Sequence, residues 1–242
     1  GDVLADVATL TINTAAGGGG NVTISGKLDS KTSGRDVDIS SGSGAVSIGG
    51  TIGGTLALAT LDINESSGAG TISLKDIGDT DTQGVTGTSR IGNDTTVTLT
   101  LAGTTYKTDE VTYTSKAGEN IDLTGGGDTT FTTTNDSVTF ATGTLEMGNG
   151  SNLIIDTGTG GGAIDLAGGV MGTSSENITL TAGTGTVAIG NVGTGAEIAD
   201  VSITTSGNTT ISGDFTGGSL TNSGPAIVSD NINLSTTGNI DF

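Results

Sequence analysis

The strongest constraint on the fold is a short unit of two alternating apolar and polar segments that recurs along the chain. Residues 10–25 contain one copy, in which the segments LTINT and VTIS flank a run of four glycines, and residues 37–48 and 178–189 repeat the arrangement. Apolar residues at every second position indicate β-strands, because a strand sends alternate side chains to opposite faces. One unit cannot bury its apolar face alone, so the copies are expected to stack.

The composition favours an ordered chain without helices. Glycine makes up 45 of the 242 residues and proline occurs once, whereas hydrophobic residues reach 32%. Collagen would need glycine at every third position with abundant proline, and a disordered chain has no reason to keep apolar residues in alternation. Helices are disfavoured because the apolar period is two, and because each interior glycine costs a helix roughly 1 kcal/mol relative to alanine.

One apolar residue in each unit marks the repeat. The markers are Ile12, Ile39, Ile63, Leu99, Leu123, Ile155, Leu180, Ile203 and Leu234. The shorter separations between successive markers cluster near 24 residues, and the residue after each marker is polar. One column is therefore expected to line the core and the next to face water. The pattern predicts an all-β fold, a parallel β-solenoid of about nine coils of roughly 24 residues with loop insertions.

Residues 1–242 are predicted to form a single solenoid segment. Three regions break the period and are candidates for inserted loops or hairpins, namely residues 75–95, 101–118 and 133–150. As an alternative to the solenoid, residues 96–101 and 110–115 could pair as an antiparallel hairpin that stands off the rod. Leu10 and Phe242 lie in strand patterns without a polar cap, so adjoining chain or another copy is expected to cover both ends.

The charge limits the partners that the chain can bind. The net charge is −19, and all seven basic residues precede residue 117. Such a surface repels nucleic acid and anionic membranes, and no apolar run approaches the roughly 20 residues of a membrane helix. No cofactor is required, and calcium is the one metal that fits a carboxylate-rich loop. Asp76, Asp79 and Asp81 are the candidate ligands, although their spacing matches no calcium motif, and the alternative is a set of solvated acids.

Catalysis is not expected. The chain has no His and no Cys, so neither a Ser-His-Asp or Cys-His site nor a His- or thiolate-ligated zinc can be built. Four of the six aromatic residues lie between residues 96 and 140, and they are candidate interaction residues: Tyr106, Tyr113, Phe131 and Phe140. A further alternative, ice binding through ranks of threonine, is weakened by charged and bulky residues in the outward column before the marker.

The recurring pattern Leu/Ile-x-Ile/Leu, glycine with small polar residues, then Val/Ile-x-Ile resembles the repeats of filamentous-haemagglutinin-like exoproteins and autotransporter passenger domains. Residues 37–48 and 178–189 carry it most clearly. The resemblance implies a right-handed parallel β-helix at the bacterial cell surface, with a non-enzymatic structural or adhesive role. It also implies end-to-end contact with adjoining repeats or copies, and glycans or host surfaces as partners. The alternative is a calcium- or glycan-binding module of a secreted adhesin.

Overall fold

The computed structural model describes residues 1–66, 68–148 and 150–242. These residues form 27 strands and one short 3-10 turn, at Ala16–Gly18. The first strands are β1 (Val3–Ala5), β2 (Thr9–Asn13), β3 (Val22–Ile24), β4 (Leu28–Ser30), β5 (Arg35–Ser40), β6 (Val46–Ile48), β7 (Leu58–Ile63), β8 (Ile72–Leu74), β9 (Ser89–Ile91), β10 (Leu99–Leu101), β11 (Thr105–Lys107), β12 (Val111–Thr114) and β13 (Asn120–Leu123). The others are β14 (Thr129–Thr132), β15 (Val138–Thr142), β16 (Thr144–Met147), β17 (Leu153–Asp156), β18 (Ile164–Leu166), β19 (Val170–Met171), β20 (Ile178–Gly183), β21 (Val187–Ile189), β22 (Ile198–Thr205), β23 (Thr209–Ile211), β24 (Phe215–Asn222), β25 (Ala226–Val228), β26 (Leu234–Thr236) and β27 (Ile240–Asp241).

The strands wind into a solenoid with three faces. All strand pairs in the described part of the chain are parallel. The first face holds the β1–β4 pair and most of an 8-stranded sheet, the second face a 10-stranded sheet from β2 to β25, and the third face a 7-stranded sheet. Isolated bridges through Ile52 and Ile77 join β4 to β11 along the first face. The predicted parallel β-solenoid is confirmed, with about ten turns, and its right-handedness stays a prediction.

The repeat length was predicted correctly, but the single column of markers was not. Ile39 lies in register with Ile12 on one side and Ile63 on the other. The next partner of Ile63 is Ile91, however, whereas Leu99 lies on the third face. The nine markers therefore divide among three faces, because all three strands of a turn carry the same apolar-x-apolar pattern.

The long separations between markers have the same origin. From Ile63 to Leu99 the chain passes through a full turn and one further strand, and it does so again from Leu123 to Ile155. These steps were interpreted as a turn with an added loop. Counting by faces raises the number of turns from the predicted nine to the ten strands of the second face.

The three predicted insertions belong to the rod. In residues 75–95, Ile77 bridges Ile52 and Tyr106, and β9 pairs with β7 and β12. In residues 101–118, β10 and β12 pair in parallel with strands of different faces, so the predicted antiparallel hairpin is wrong. In residues 133–150, β15 and β16 also pair within the solenoid, and Asn149 lies outside the described residues. The period is broken there by uneven corners rather than by excursions.

One apolar core runs through the solenoid from Ala5 to Leu220. Stacked side chains such as Ile39 and Ile63 are fully buried, and burial of apolar surface contributes about 25 cal/mol per Å². The apolar residues that pack against this core but stay partly exposed all belong to the first or last turns: Val3, Leu10, Ile12, Ile232, Leu234 and Ile240. The core is therefore closed along its length and open at both ends.

Asparagine and aspartate side chains connect successive turns at the corners. Along the corner before the first face, Asp128 Oδ1 accepts a hydrogen bond from Asn152 Nδ2 at 2.9 Å. Asn152 Oδ1 accepts from the backbone N–H of Asn177 at 2.8 Å, and Asn177 Oδ1 accepts from that of Asp200 at 3.2 Å. These bonds satisfy backbone donors that the sheets leave unpaired at the corners. They explain why short polar side chains recur between the strands.

A buried carboxylate stabilises one corner by accepting hydrogen bonds. Glu176 is buried, and its Oε1 accepts hydrogen bonds from the hydroxyls of Thr173 and Ser174 at 2.9 Å and from the backbone N–H of Gly150 at 3.2 Å. Burial alone would raise the pKa of this carboxyl, but hydrogen bonds from Ser174 and Thr173 outweigh it and lower the pKa from 4.5 to about 2. The ionised form of Glu176 is therefore the one that the fold stabilises.

We expect Glu176→Gln to lower the free energy of unfolding by about 1–3 kcal/mol above pH 4.5, because a buried charged acceptor of several hydrogen bonds is replaced by a neutral amide. Since the pKa is depressed in the folded state, the advantage of wild type over the variant should shrink as the pH falls from 4.5 towards 2. Urea unfolding followed by circular dichroism over this range measures it. Glu197→Gln, at an exposed position, is the matched control. A difference that does not depend on pH would contradict the assignment.

Candidate functional site

A cleft of about 640 Å³ opens on the second face, between β7, β9 and β12. Its floor is formed by Arg90, Thr112 and Thr114, and its walls by the corner residues 65, 66, 68 and 92–95. The outward position of a strand supplies each floor residue, and Asp62, Arg90 and Thr112 follow one another in register. The solenoid thus brings together side chains that are separated by more than 20 residues in sequence.

Arg90 is loosely placed between two carboxylates. Its Nη1 lies 3.7 Å from Asp62 Oδ1 and its Nε lies 3.8 Å from Glu65 Oε1, and both distances exceed that of a hydrogen bond. Asp62 Oδ1 is shielded from solvent and has no hydrogen-bond partner among the described residues. Burial raises the pKa of the Asp62 carboxyl, against the opposing effect of Arg90, and Glu65 and Asp38 add to the increase. The cleft therefore contains one cation, several acids and polar groups with unused hydrogen-bonding capacity.

The corner that forms the cleft walls is held by its own hydrogen bonds. Asn93 Nδ2 donates to the backbone carbonyls of Asn64 and Gly68, and Thr95 Oγ1 donates to Gly68 O at 2.9 Å. Gly92 has a φ of 81°, and a Cβ there would collide with the carbonyl oxygen of Thr114. A left-handed glycine is therefore needed where the chain leaves β9. The hydrogen bonds of Asn93 and Thr95 join the corner after β7 to the corner after β9.

The sequence did not reveal this cleft. Arg90 is one of the two arginines of the chain, and it is the only base among the aligned outward residues Asp38, Asp62, Arg90 and Thr112. That signal appears only when Asp62 and Arg90 are aligned. The marker column hid the alignment because it placed Leu99, instead of Ile91, beside Ile63.

The three aspartates predicted to bind calcium do not meet. Asp76 Oδ1 accepts hydrogen bonds from the backbone N–H groups of Thr104 and Thr105 at 2.7 and 2.9 Å. Asp79 Oδ1 accepts hydrogen bonds from the backbone N–H groups of Asp81 and Thr82, and these bonds lower the pKa of the Asp79 carboxyl. Within the described ranges, no three acidic side chains are grouped so that they could hold a metal ion. Asp76 and Asp79 bind backbone donors, and calcium binding by Asp76, Asp79 and Asp81 stays a prediction.

The four aromatic residues predicted to contact a partner lie in the core. All of them are at most 1% exposed. Tyr106 stacks on Phe131 with ring centroids 4.8 Å apart, and Tyr113 stacks on Phe140 at 5.1 Å. The two stacks meet edge to face, as between Phe131 and Phe140 at 5.3 Å. Burial rules out contact with a partner in the folded chain, so this prediction is corrected: the rings fill the interior of the middle turns.

The two tyrosine hydroxyls differ in their surroundings. The hydroxyl oxygen of Tyr106 accepts a hydrogen bond from the backbone N–H of Gly103 at 2.9 Å. Tyr113 OH is buried without a hydrogen-bond partner in the described part of the chain, and burial raises the pKa of Tyr113 well above its usual value. An unpaired buried hydroxyl destabilises the folded state, whereas a paired one stabilises it.

We expect Tyr113→Phe to raise the free energy of unfolding by about 1 kcal/mol, and Tyr106→Phe to lower it by about the same amount. Chemical denaturation of both variants measures the two changes against wild type. The two substitutions remove the same atom from neighbouring rings and serve as controls for each other. A loss of stability in Tyr113→Phe equal to that in Tyr106→Phe would show that the Tyr113 hydroxyl has a partner.

The outward threonines do not form one rank. The predicted column before the marker is divided among three faces, as the markers are. On the first face, Thr130 and Thr132 are followed in register by Ile154 and Asp156, and then by a second Thr-x-Thr pair, Thr179 and Thr181. An isoleucine and an aspartate thus separate the two pairs. Ice binding stays an untested alternative, without a continuous threonine array in its support.

No family model, no curated protein and no solved structure matches the chain. Among the residues that the structure describes, none forms a helix with the length and apolarity needed to cross a bilayer. The strand pairing shows a parallel β-solenoid of about ten turns. Kinship with filamentous-haemagglutinin-like or autotransporter proteins stays a prediction.

Proposed function

We propose that the chain is a non-enzymatic structural and adhesive segment of a large bacterial surface or filament-forming protein, and that it acts outside the cell. The observation that carries the proposal is the rod of about ten parallel turns around one continuous apolar core, an extended repeat architecture that suits a fibre or stalk segment. The repeat pattern, which resembles that of surface exoproteins, supports the extracellular setting. In this role further solenoid turns, from adjoining chain or another copy, cover the ends.

The last turn shows what such a contact would bury. Val228 lies in register with Ile211 on the second face. Ile211 is 1% exposed, whereas Val228 is 41% exposed. In the first described turn Leu10 and Ile12 are partly exposed, while Val37 and Ile39 in the next turn are buried. The edge strands β2 and β25 also leave one row of backbone groups unpaired, which favours the addition of another strand.

The sides of the rod favour contacts at the ends. A chain with a net charge of −19 repels its copies along their flanks. The ten strands of the second face, at roughly 4.8 Å per turn, make the rod on the order of 45 Å long. A rod that is repulsive on its sides and apolar at its tips is suited to extend a fibre or to hold an adhesive surface away from the cell.

We expect the chain to associate end to end in sedimentation velocity, with a frictional ratio that rises with concentration. Val228→Lys places a charge on the open core and should weaken association about tenfold or more. Val97→Lys is the matched control, since Val97 is 38% exposed on the flank of a middle turn. A strictly monomeric chain at high concentration, or equal weakening by both substitutions, would overturn the proposal.

A further inference from the structure

We propose that the cleft around Arg90 binds neutral carbohydrate, with adjacent sugar hydroxyls bridging the Arg90 guanidinium and the carboxylate of Glu65. This inference rests on the geometry of the cleft and is independent of the end-to-end contacts. The cleft, of about 640 Å³, lies on the flank of the rod and is polar at its floor and walls.

The first argument is the unused hydrogen-bonding capacity. A guanidinium has five N–H donors, and no described residue accepts one of those of Arg90 within hydrogen-bond distance. The two nearest carboxylate oxygens, those of Asp62 and Glu65, lie at 3.7 and 3.8 Å, and the Glu65 side chain is 46% exposed and lines the cleft. A hydroxyl can accept from the guanidinium and donate to a carboxylate at the same time, so a diol satisfies both kinds of group.

The second argument is the charge of the cleft. Asp62, Glu65 and Asp94 outnumber the single cation, so the local charge repels uronates, sialic acids and phosphates. The guanidinium at the floor in turn disfavours a divalent cation, which needs carboxylates free of a competing positive charge. A ligand without net charge but with many hydroxyls avoids both repulsions.

The third argument is the hydrogen bonding of the cleft walls. Asn93 and Thr95 donate to Gly68 O and so join the corner after β9 to the corner after β7. Thr112 and Thr114 add hydroxyls along the floor. The part of the lining that the structure describes has no aromatic ring on which a sugar could stack. We therefore expect weak binding, with dissociation constants of about 1 mM.

The two arginines of the chain provide a direct readout. In a ¹⁵N–¹H spectrum each gives one Nε–Hε signal, and an Arg90→Lys variant assigns them. The probes are hexamers of maltose, laminarin and chitin type, with hexagalacturonate as the anionic comparison. We expect at least one neutral hexamer, at about 10 mM, to shift the Arg90 signal in a saturable way and to leave that of Arg35 in place.

Two variants separate the cleft from the rest of the surface. Arg90→Gln should weaken binding of the active hexamer about tenfold or more, as measured from backbone amide shifts of the corner residues. Lys75→Gln removes the same charge from an exposed residue outside the cleft and should leave binding unchanged. The proposal is overturned if no neutral hexamer shifts Arg90, if hexagalacturonate binds more tightly, or if Arg90→Gln binds as wild type does.

Discussion

The structure depends on the stacking of like side chains from consecutive turns. Each turn is joined to the next by parallel strand pairs, which place Ile39 on Ile12 and Ile63 on Ile39 at the strand spacing. The interior is narrow, so one aliphatic residue at each inward position is enough to fill it. The absence of tryptophan and the scarcity of large rings follow from this limit, and the four central aromatic residues fit only because their rings stack in pairs.

The fold class could be predicted from the sequence, because strand alternation and repeat length are both visible in the order of residues. The assignment of strands to faces could not be predicted. Ile63, Leu99 and Ile155 stand in the same kind of pattern, yet they lie on three different faces. The pattern specifies which residues of a strand point inward, but the length of each corner decides where the strand falls around the turn, and corner lengths vary from turn to turn.

The candidate sites show a similar division. The candidate calcium ligands and interaction residues were predicted from acids and aromatic residues that lie close together in sequence. In the structure the aromatic side chains are buried in the core, and the aspartates accept hydrogen bonds from the backbone. Tyr113 and Phe140 were needed by the core, and Asp76 and Asp79 by the corners. Arg90 acquires its setting only through Asp62, which precedes it by one turn. A site on a solenoid surface is assembled across turns, so it becomes visible only after the register is known.

The corner formed by Asp128, Asn152, Asn177 and Asp200 has a direction. In three successive steps a side-chain oxygen of the earlier turn accepts a hydrogen bond from an N–H group of the later turn. At each of these links the earlier turn supplies the acceptor and the turn that follows it in the chain supplies the donor. Each of these hydrogen bonds joins only two neighbouring turns, so the loss of one of these side chains would weaken one or two junctions of the solenoid and leave the others intact.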